Sequence, residues 1–365
     1  VSISWVGGFV SAGVGALATP WVANALIPVQ DVQAKTLMVG YVTAYLVGLP
    51  AIWIVQSLAG ALRGAGDTKS PMIVSGLQIL IHIALNSLLI LPPRPGPLGF
   101  ELPGFGWGLV GAGWAMALSA WIAAIAYLAY SGRTTLGPCW RYESPERSWV
   151  RRNWAIAAPT ALMSVLRVAS LSAFQLTLKY LPDGSSAIAA INVGFAIESI
   201  MFMPAFGLSA AASALVGQSL GMKKPDRAER VGWLAGHYGA VVVFSLSLPI
   251  FVFAPSIASM LVGAEKTTVI AHATELLRWL CATEILFSYA MVMIGAMQGA
   301  GETKRPFWIT VGCLWGLRVP LAWYLGLYTP LGATGAWIAL SATQAVQGLL
   351  SMAAWKQGSW KHRDV

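Results

Sequence analysis

The chain has 365 residues, of which 57% are apolar and only 10% charged, and its mean hydropathy is +0.67. Soluble domains carry about 25% charged residues, so this composition excludes a water-soluble fold and calls for lipid as the solvent. The formal charge of +9 does not point to nucleic acid, because the basic residues fall in short connections between apolar runs and form no groove-like patch.

A bilayer core of about 30 Å is crossed by about 20 helical residues at 1.5 Å rise each. The apolar runs show no period-2 alternation, so helices and not barrel strands are expected. In chain order they predict ten helices, at 2–27, 36–61, 70–91, 106–130, 153–178, 186–215, 231–262, 268–297, 306–328 and 331–355. Val1 lies inside an apolar stretch with no charged segment before it, which reads as the interior of a longer protein and not as a signal peptide. The connections check the count. Assigned alternately to opposite sides, one set holds five cations (Lys35, Arg94, Lys179, Lys266 and Arg278) and the other sixteen, from Arg63 and Lys69 through the carboxy-terminal tail. The richer side is expected to be cytoplasmic, in a multi-pass cell-membrane protein with its carboxy terminus inside. Cys139, Cys281 and Cys313 are scattered, without metal-ligand spacing, and no metal site is expected.

Two segments recur. Leu62-Arg63-Gly64-Ala65-Gly66-Asp67-Thr68-Lys69-Ser70-Pro71 returns 235 residues later as Met297-Gln298-Gly299-Ala300-Gly301-Glu302-Thr303-Lys304-Arg305-Pro306. Gly113-Trp114-Ala115-Met116-Ala117-Leu118-Ser119-Ala120 returns 222 residues later from Gly335 to Ala342. Locally each Gly-Ala-Gly segment is helix punctuation, with glycine ending one helix and proline opening the next. Ordered recurrence goes further and indicates a duplication. Six helices separate the two Gly-Ala-Gly segments, so both face the same side and the repeats are parallel. The expected fold is therefore an all-α polytopic membrane protein of two parallel-repeat lobes. The amino-terminal lobe at 1–131 carries four helices, and a cytoplasmic linker at 132–152 follows it. The carboxy-terminal lobe at 153–356 carries six helices, and the tail at 357–365 is cytoplasmic. The two helices that would complete the first lobe are expected before Val1.

Arg63-Gly64-Ala65-Gly66-Asp67-Thr68, Leu215-Val216-Gly217-Gln218-Ser219-Leu220-Gly221 with Arg227-Ala228-Glu229-Arg230, and Gln298-Gly299-Ala300-Gly301-Glu302-Thr303 together resemble the multidrug and toxic compound extrusion (MATE) family of antiporters. The resemblance implies two six-helix lobes around a cavity open alternately to each side, with the first two helices absent here. It implies a monomeric exporter of small organic solutes or drugs, cationic or amphipathic, driven by entry of a proton or sodium, with no other cofactor and no nucleic-acid partner.

A charge at membrane depth costs roughly 2.5–3.5 kcal/mol on insertion scales, so each one needs a reason. Glu198 and Glu284 are candidates for coupling-cation binding, since a carboxylate held away from water can take up a proton or sodium. The structural alternatives are an ion pair for Glu198 and, for Glu284, a wet face shared with Glu275 and Arg278. Arg167 stands roughly where the resembled family's sodium-dependent branch has a Glu. A guanidinium cannot bind sodium, so Arg167 is read as a partner of Glu198 or as a cavity residue. Arg318, beside Pro320, reads as structural, with its donors on freed carbonyls. His82 and Asn86, spaced i, i+4, share a helix face. Proton-driven members of the resembled family have Asp where Asn86 stands, which leaves His82 either as a proton carrier or as half of an interhelical hydrogen-bonded pair. His237 reads as a bonded interior histidine. Trp53, Trp114, Phe195, Phe202, Met203, Phe206 and Met291 are candidate cavity residues, able to hold apolar bodies and cations. Most of the 17 Trp read as lipid-packing or interface anchors.

No phosphate-binding loop, dinucleotide fingerprint or nucleophile triad appears, so an enzyme is not expected. A lipid-linked oligosaccharide flippase would need more cations at membrane depth than Arg167 and Arg318. A membrane-embedded transferase would need catalytic loops longer than these.

Overall fold

The computed structural model describes residues 1–27, 31–95, 101–134, 136–137, 146–263 and 265–362; Cys139, Arg141, Arg363 and part of the Pro/Gly-rich connection at 92–106 lie outside them. The described chain forms two compact units, Val1–Arg147 and Ser148–Val365.

The first unit holds four long helices: α1 (Ser2–Leu26), α2 (Val32–Gly64), α3 (Lys69–Ile90) and α4 (Gly108–Ser131). A two-residue antiparallel pair, Arg94–Pro95 with Glu101–Leu102, sits between α3 and α4. α2 packs on α1 and α4, and α3 packs on α4. The core between α2 and α4 is built from Ala51, Ile54, Leu58 and Leu62 against Ala120, Ala124 and Tyr127. Small residues set this spacing: a Cβ on Gly48 would lie 2.6 Å from the Ala117 Cα. Membrane helices have no hydrophobic drive to associate, so close backbone approach of this kind provides the packing energy.

The second unit holds α5 (Arg147–Lys179), α6 (Gly184–Gly221), α7 (Pro225–Val252), α8 (Ala254–Val262), α9 (Thr267–Gly299), α10 (Lys304–Val311), a π-helical turn (Gly312–Arg318), α11 (Val319–Leu327) and α12 (Ala333–Lys356). α9 is the hub, packed on α6, α7 and α12. Its most apolar window is 61% buried, against 6% for α3, so α9 is where a polar side chain can be hidden from lipid. Phe174 of α5 packs on Trp337, and the Trp315 indole donates to the Leu166 carbonyl at 3.0 Å. Trp337, Trp355 and Trp360 are fully buried, unlike the interface anchors expected of most tryptophans. Trp360, in the short 3-10 turn after α12, stacks on Trp355 at 4.0 Å.

Among the described residues, eight helices are long and apolar enough to cross a membrane. The other two expected spans depart for separate reasons. The expected 306–328 helix is interrupted by the π turn, and α12, though 24 residues long, carries Thr343, Gln344 and Gln347 turned inward. The expected 231–262 helix is two helices, because Pro255 opens α8 where the chain leaves α7 at Phe253.

The duplication is visible in the helices themselves. α2 and α9 each have 33 residues, and both their first and last residues are 235 apart. Both end in the same turn. Asp67 N–H donates to the Leu62 carbonyl and Glu302 N–H to the Met297 carbonyl, each at 2.9 Å, with Gly66 at φ +95° and Gly301 at φ +73°. This is a left-handed glycine closure of the helix end. Asp67 then accepts the Ser70 amide at 3.0 Å and Glu302 the Arg305 amide at 3.2 Å, opening the next helix. Ser70 holds the Asp67 carboxyl below the usual carboxylate range. Nothing lies within 4 Å of a Cβ on Gly301, so Gly301→Ala isolates backbone strain. It is expected to lower stability by about 1–2 kcal/mol, read as a lower unfolding midpoint in detergent. An unchanged midpoint would mean that the turn needs no glycine.

Candidate functional site

The second unit carries a half-open cavity of about 210 Å³. Its polar wall is Arg167 of α5, Glu198 of α6, Arg318 of the π turn, and Gln344 and Gln347 of α12. Its apolar wall includes Phe195, Phe202, Phe287 and Met291. Four helices and the π turn therefore contribute polar groups or rings to one space inside a single lobe.

Each polar group has an identifiable origin. Glu198 is 7% exposed, and the Gln344 amide donates to its Oε1 at 2.7 Å. The Thr283 hydroxyl of α9 lies 3.4 Å from the Gln344 Oε1 and shares its one hydrogen with the Trp279 and Leu280 carbonyls. Gln347 donates to Thr310 at 3.1 Å. Arg318 is 5% exposed, and its Nε donates to the Thr343 hydroxyl at 3.0 Å. The π turn has one residue more per turn than an α-helix and places Arg318 towards α12; such turns recur at functional sites. The expected reading of Arg318, with its donors on carbonyls freed by Pro320, is thus corrected to a hydroxyl partner on the neighbouring helix. Arg167 reaches only the Met291 sulfur, at 3.9 Å. Its expected ion pair with Glu198 is absent; ion pairs of this unit lie elsewhere, between His272 and Asp183 and between Lys361 and Glu229.

Glu284 lies behind this wall, on α9, with no exposed surface and no hydrogen-bond partner on either carboxyl oxygen. It is near enough to Glu198 for the two carboxyl groups to interact. The wet-face reading of Glu284 does not hold, for a geometric reason. Nine residues at 100° each put Glu275 half a turn away from Glu284, and Glu275 instead accepts from Thr334 at 3.0 Å while Arg278 lies over Phe251 at 5.9 Å.

The remaining candidates do not line this cavity. In the first unit, His82 and Asn86 bond to each other at 3.1 Å, and Ser119 of α4 lies 3.4 Å from the other ring nitrogen of His82. The His82–Asn86 bond lies within α3 and only the Ser119 contact crosses to a second helix, so one interhelical bond is present where a pair was expected, with the Asn86 Oδ1 buried and without a partner. Trp53 is 42% exposed and packs beside Gly7, while Met203 and Phe206 are 59% and 57% exposed. His237 is exposed and bonded to the Tyr289 hydroxyl at 2.6 Å, so it is not interior. Gln344, Gln347, Thr343 and Phe287 were not singled out from the sequence. The signal for the first three was present: three amide or hydroxyl side chains within five residues of one apolar span, two of them at i, i+4.

The comparisons with known proteins agree with this architecture. The MatE family model matches residues 1–88 and 159–324. The probable multidrug resistance protein NorM of Thermotoga maritima is 27% identical over 382 residues, covering 100% of this chain and 77% of that protein. The multidrug resistance protein MdtK of Photorhabdus laumondii is 26% identical, covering 87% of this chain and 69% of its own length. A solved outward-facing multidrug resistance MATE family transporter of the MOP superfamily superimposes with a TM-score of 0.85 at 20% identity, covering 100% of this chain and 80% of that one. The repeat, the helical lobes and a family match over most of the chain lead to one conclusion: the chain belongs to the MatE family of multi-pass membrane transporters.

Proposed function

We propose that the chain belongs to a cation-coupled antiporter that exports amphipathic organic compounds, with Glu198 as the group that exchanges a proton or sodium for the solute. The observation that carries this reading is the cavity in the second lobe, where an almost fully buried carboxylate on α6 meets an amide from α12 beside phenylalanine rings. A buried charge of this kind is expensive to keep and marks ion or substrate pathways. Gln344 supplies a neutral donor, so loading and unloading a cation on Glu198 leaves no fixed opposite charge locked to it. The names of the similar proteins, multidrug resistance proteins, support export of drug-like solutes. The excess of cations on one set of connections supports a cytoplasmic carboxy terminus.

The test is uptake of ethidium and of dansylglycine into inverted membrane vesicles under an imposed proton or sodium gradient. Gradient-driven uptake that collapses with the matching ionophore is expected. Glu198→Gln keeps the shape of the side chain and removes its titration, and is expected to lower uptake by about tenfold or more, the usual scale for losing a positioned proton carrier. Uptake of either probe at the wild-type rate in Glu198→Gln would remove Glu198 from the coupling role.

A further inference from the structure

We propose that the cavity of the second lobe binds the acidic group of its solute, so that the preferred ligands are amphipathic compounds bearing a carboxylate. This inference rests on the export reading and names the substrate class for the same site.

Two guanidinium groups face the cavity, Arg167 and Arg318, and neither has a carboxylate within ion-pairing distance among the described residues. Arg318 spends one donor on Thr343 and Arg167 one on a thioether, a weak acceptor. An arginine has five N–H donors, so most of the donor capacity of the pair is unspent. Glu198 is near enough to offset part of the charge of Arg318 while Arg167 repels it, so one cation of the pair is left without a counter-charge. Like charges kept together in a low-dielectric lobe need an anion between them. The protein's own candidate is Glu198, but its Oε1 is taken by Gln344 and it stands beyond 4 Å from both guanidiniums. What is missing is therefore an external acceptor with two oxygens, which a planar guanidinium binds by paired hydrogen bonds. The phenylalanine and leucine walls fit an aromatic or aliphatic body attached to that acid.

The test uses three fluorescent probes with one body: dansylglycine, its neutral amide, and the cationic dansyl ethylenediamine conjugate. Displaceable binding to the purified full chain in detergent is measured with no gradient present. Dansylglycine is expected to bind about tenfold or more tighter than either analogue, the scale of one charge-assisted hydrogen-bonded contact. Arg318→Gln and Arg167→Gln are each expected to remove most of that preference, read as the ratio of dansylglycine to amide affinity within each variant, and a single wild-type size-exclusion peak shows that the variant has folded. The corresponding Lys variants are expected to restore part of it, since charge returns without the paired donors. Tighter binding of the cationic probe, or a carboxylate preference that survives both Gln substitutions, would overturn the proposal. Because binding is read without transport, such a result leaves the export reading standing. Absence of gradient-driven uptake would sink the export reading without touching the binding order.

Discussion

Replacing Gly299 with valine is expected to abolish recovery of folded protein, whereas Gly207→Ala, on the packed partner helix, is expected to shift stability by no more than about 1 kcal/mol. A Cβ on Gly299 would lie 2.1 Å from the Ser213 carbonyl oxygen and 2.6 Å from its Cα, and a Cβ on Gly295 would lie 2.0 Å from the Ser209 Oγ. Ordinary contacts begin near 3.4 Å, so α6 and α9 are in backbone contact over one helical turn. Around Gly299 the neighbours are main-chain atoms and cannot turn aside as a flexible side chain would, and behind the Ser209 Oγ the Ser209 carbonyl oxygen stands 2.7 Å from a Cβ on Gly295. Gly295 and Gly299 are spaced i, i+4 and so lie on one face, the small-residue spacing that lets membrane helices approach. Ser209 seals the crossing by donating to the Met291 carbonyl at 2.8 Å. Overpacking a core with side chains that can shift costs about 1–3 kcal/mol. Here the helices must separate along their whole crossing, and Glu198 and Met291 lie on those same two helices. A size-exclusion profile read by fluorescence distinguishes the variants. A single wild-type peak for Gly299→Val would refute the close crossing. Around Gly207 nothing lies within 4 Å of an added Cβ.

This crossing shows where the sequence stops being informative. A glycine in an apolar run looks the same whether lipid or another backbone faces it, and only the fold puts Ser209 and Ser213 opposite Gly295 and Gly299. The duplication was legible because its marker is local turn chemistry: a glycine at positive φ, then an acidic cap, then proline, and each piece depends on its own residues. Glu198 and Arg318 stood out because charge in an apolar span is rare and costly. Their partners did not, since Gln344 and Thr343 arrive from a helix 146 and 25 residues away in sequence, respectively. The π turn at Gly312–Arg318 was hidden for a different reason. It changes hydrogen-bond register without changing hydropathy, so 306–328 read as one uninterrupted helix. The ion pair expected for Arg167 failed because opposite charges in neighbouring spans imply proximity only if both face one way and reach the same depth. Here the guanidinium reaches a methionine.

Glu284→Leu is expected to raise the thermal stability of the protein and to lower gradient-driven uptake by about tenfold or more, two changes of opposite sign from one substitution. Both carboxyl oxygens of Glu284 are removed from solvent and lack a hydrogen-bond partner. A buried polar group left in that condition costs the fold about 1–3 kcal/mol. Leucine fills the same space on the most enclosed helix of the lobe and needs no partner, so that cost disappears. A structural carboxylate would be retained for its bonds, and Glu284 has none. A carboxylate that waits for a cation is under no such requirement, because the cation supplies the missing partner when it arrives. Glu284→Gln separates the two effects. It loses the titratable charge but keeps two polar ends in the same dry place, so uptake is expected to fall as in the leucine variant while stability gains little. Unfolding midpoints in detergent and uptake into inverted vesicles are the two readouts. A leucine variant that melts early and still transports would mean that Glu284 holds the lobe together through a partner gained in the membrane, and its place beside Glu198 would then carry no coupling role.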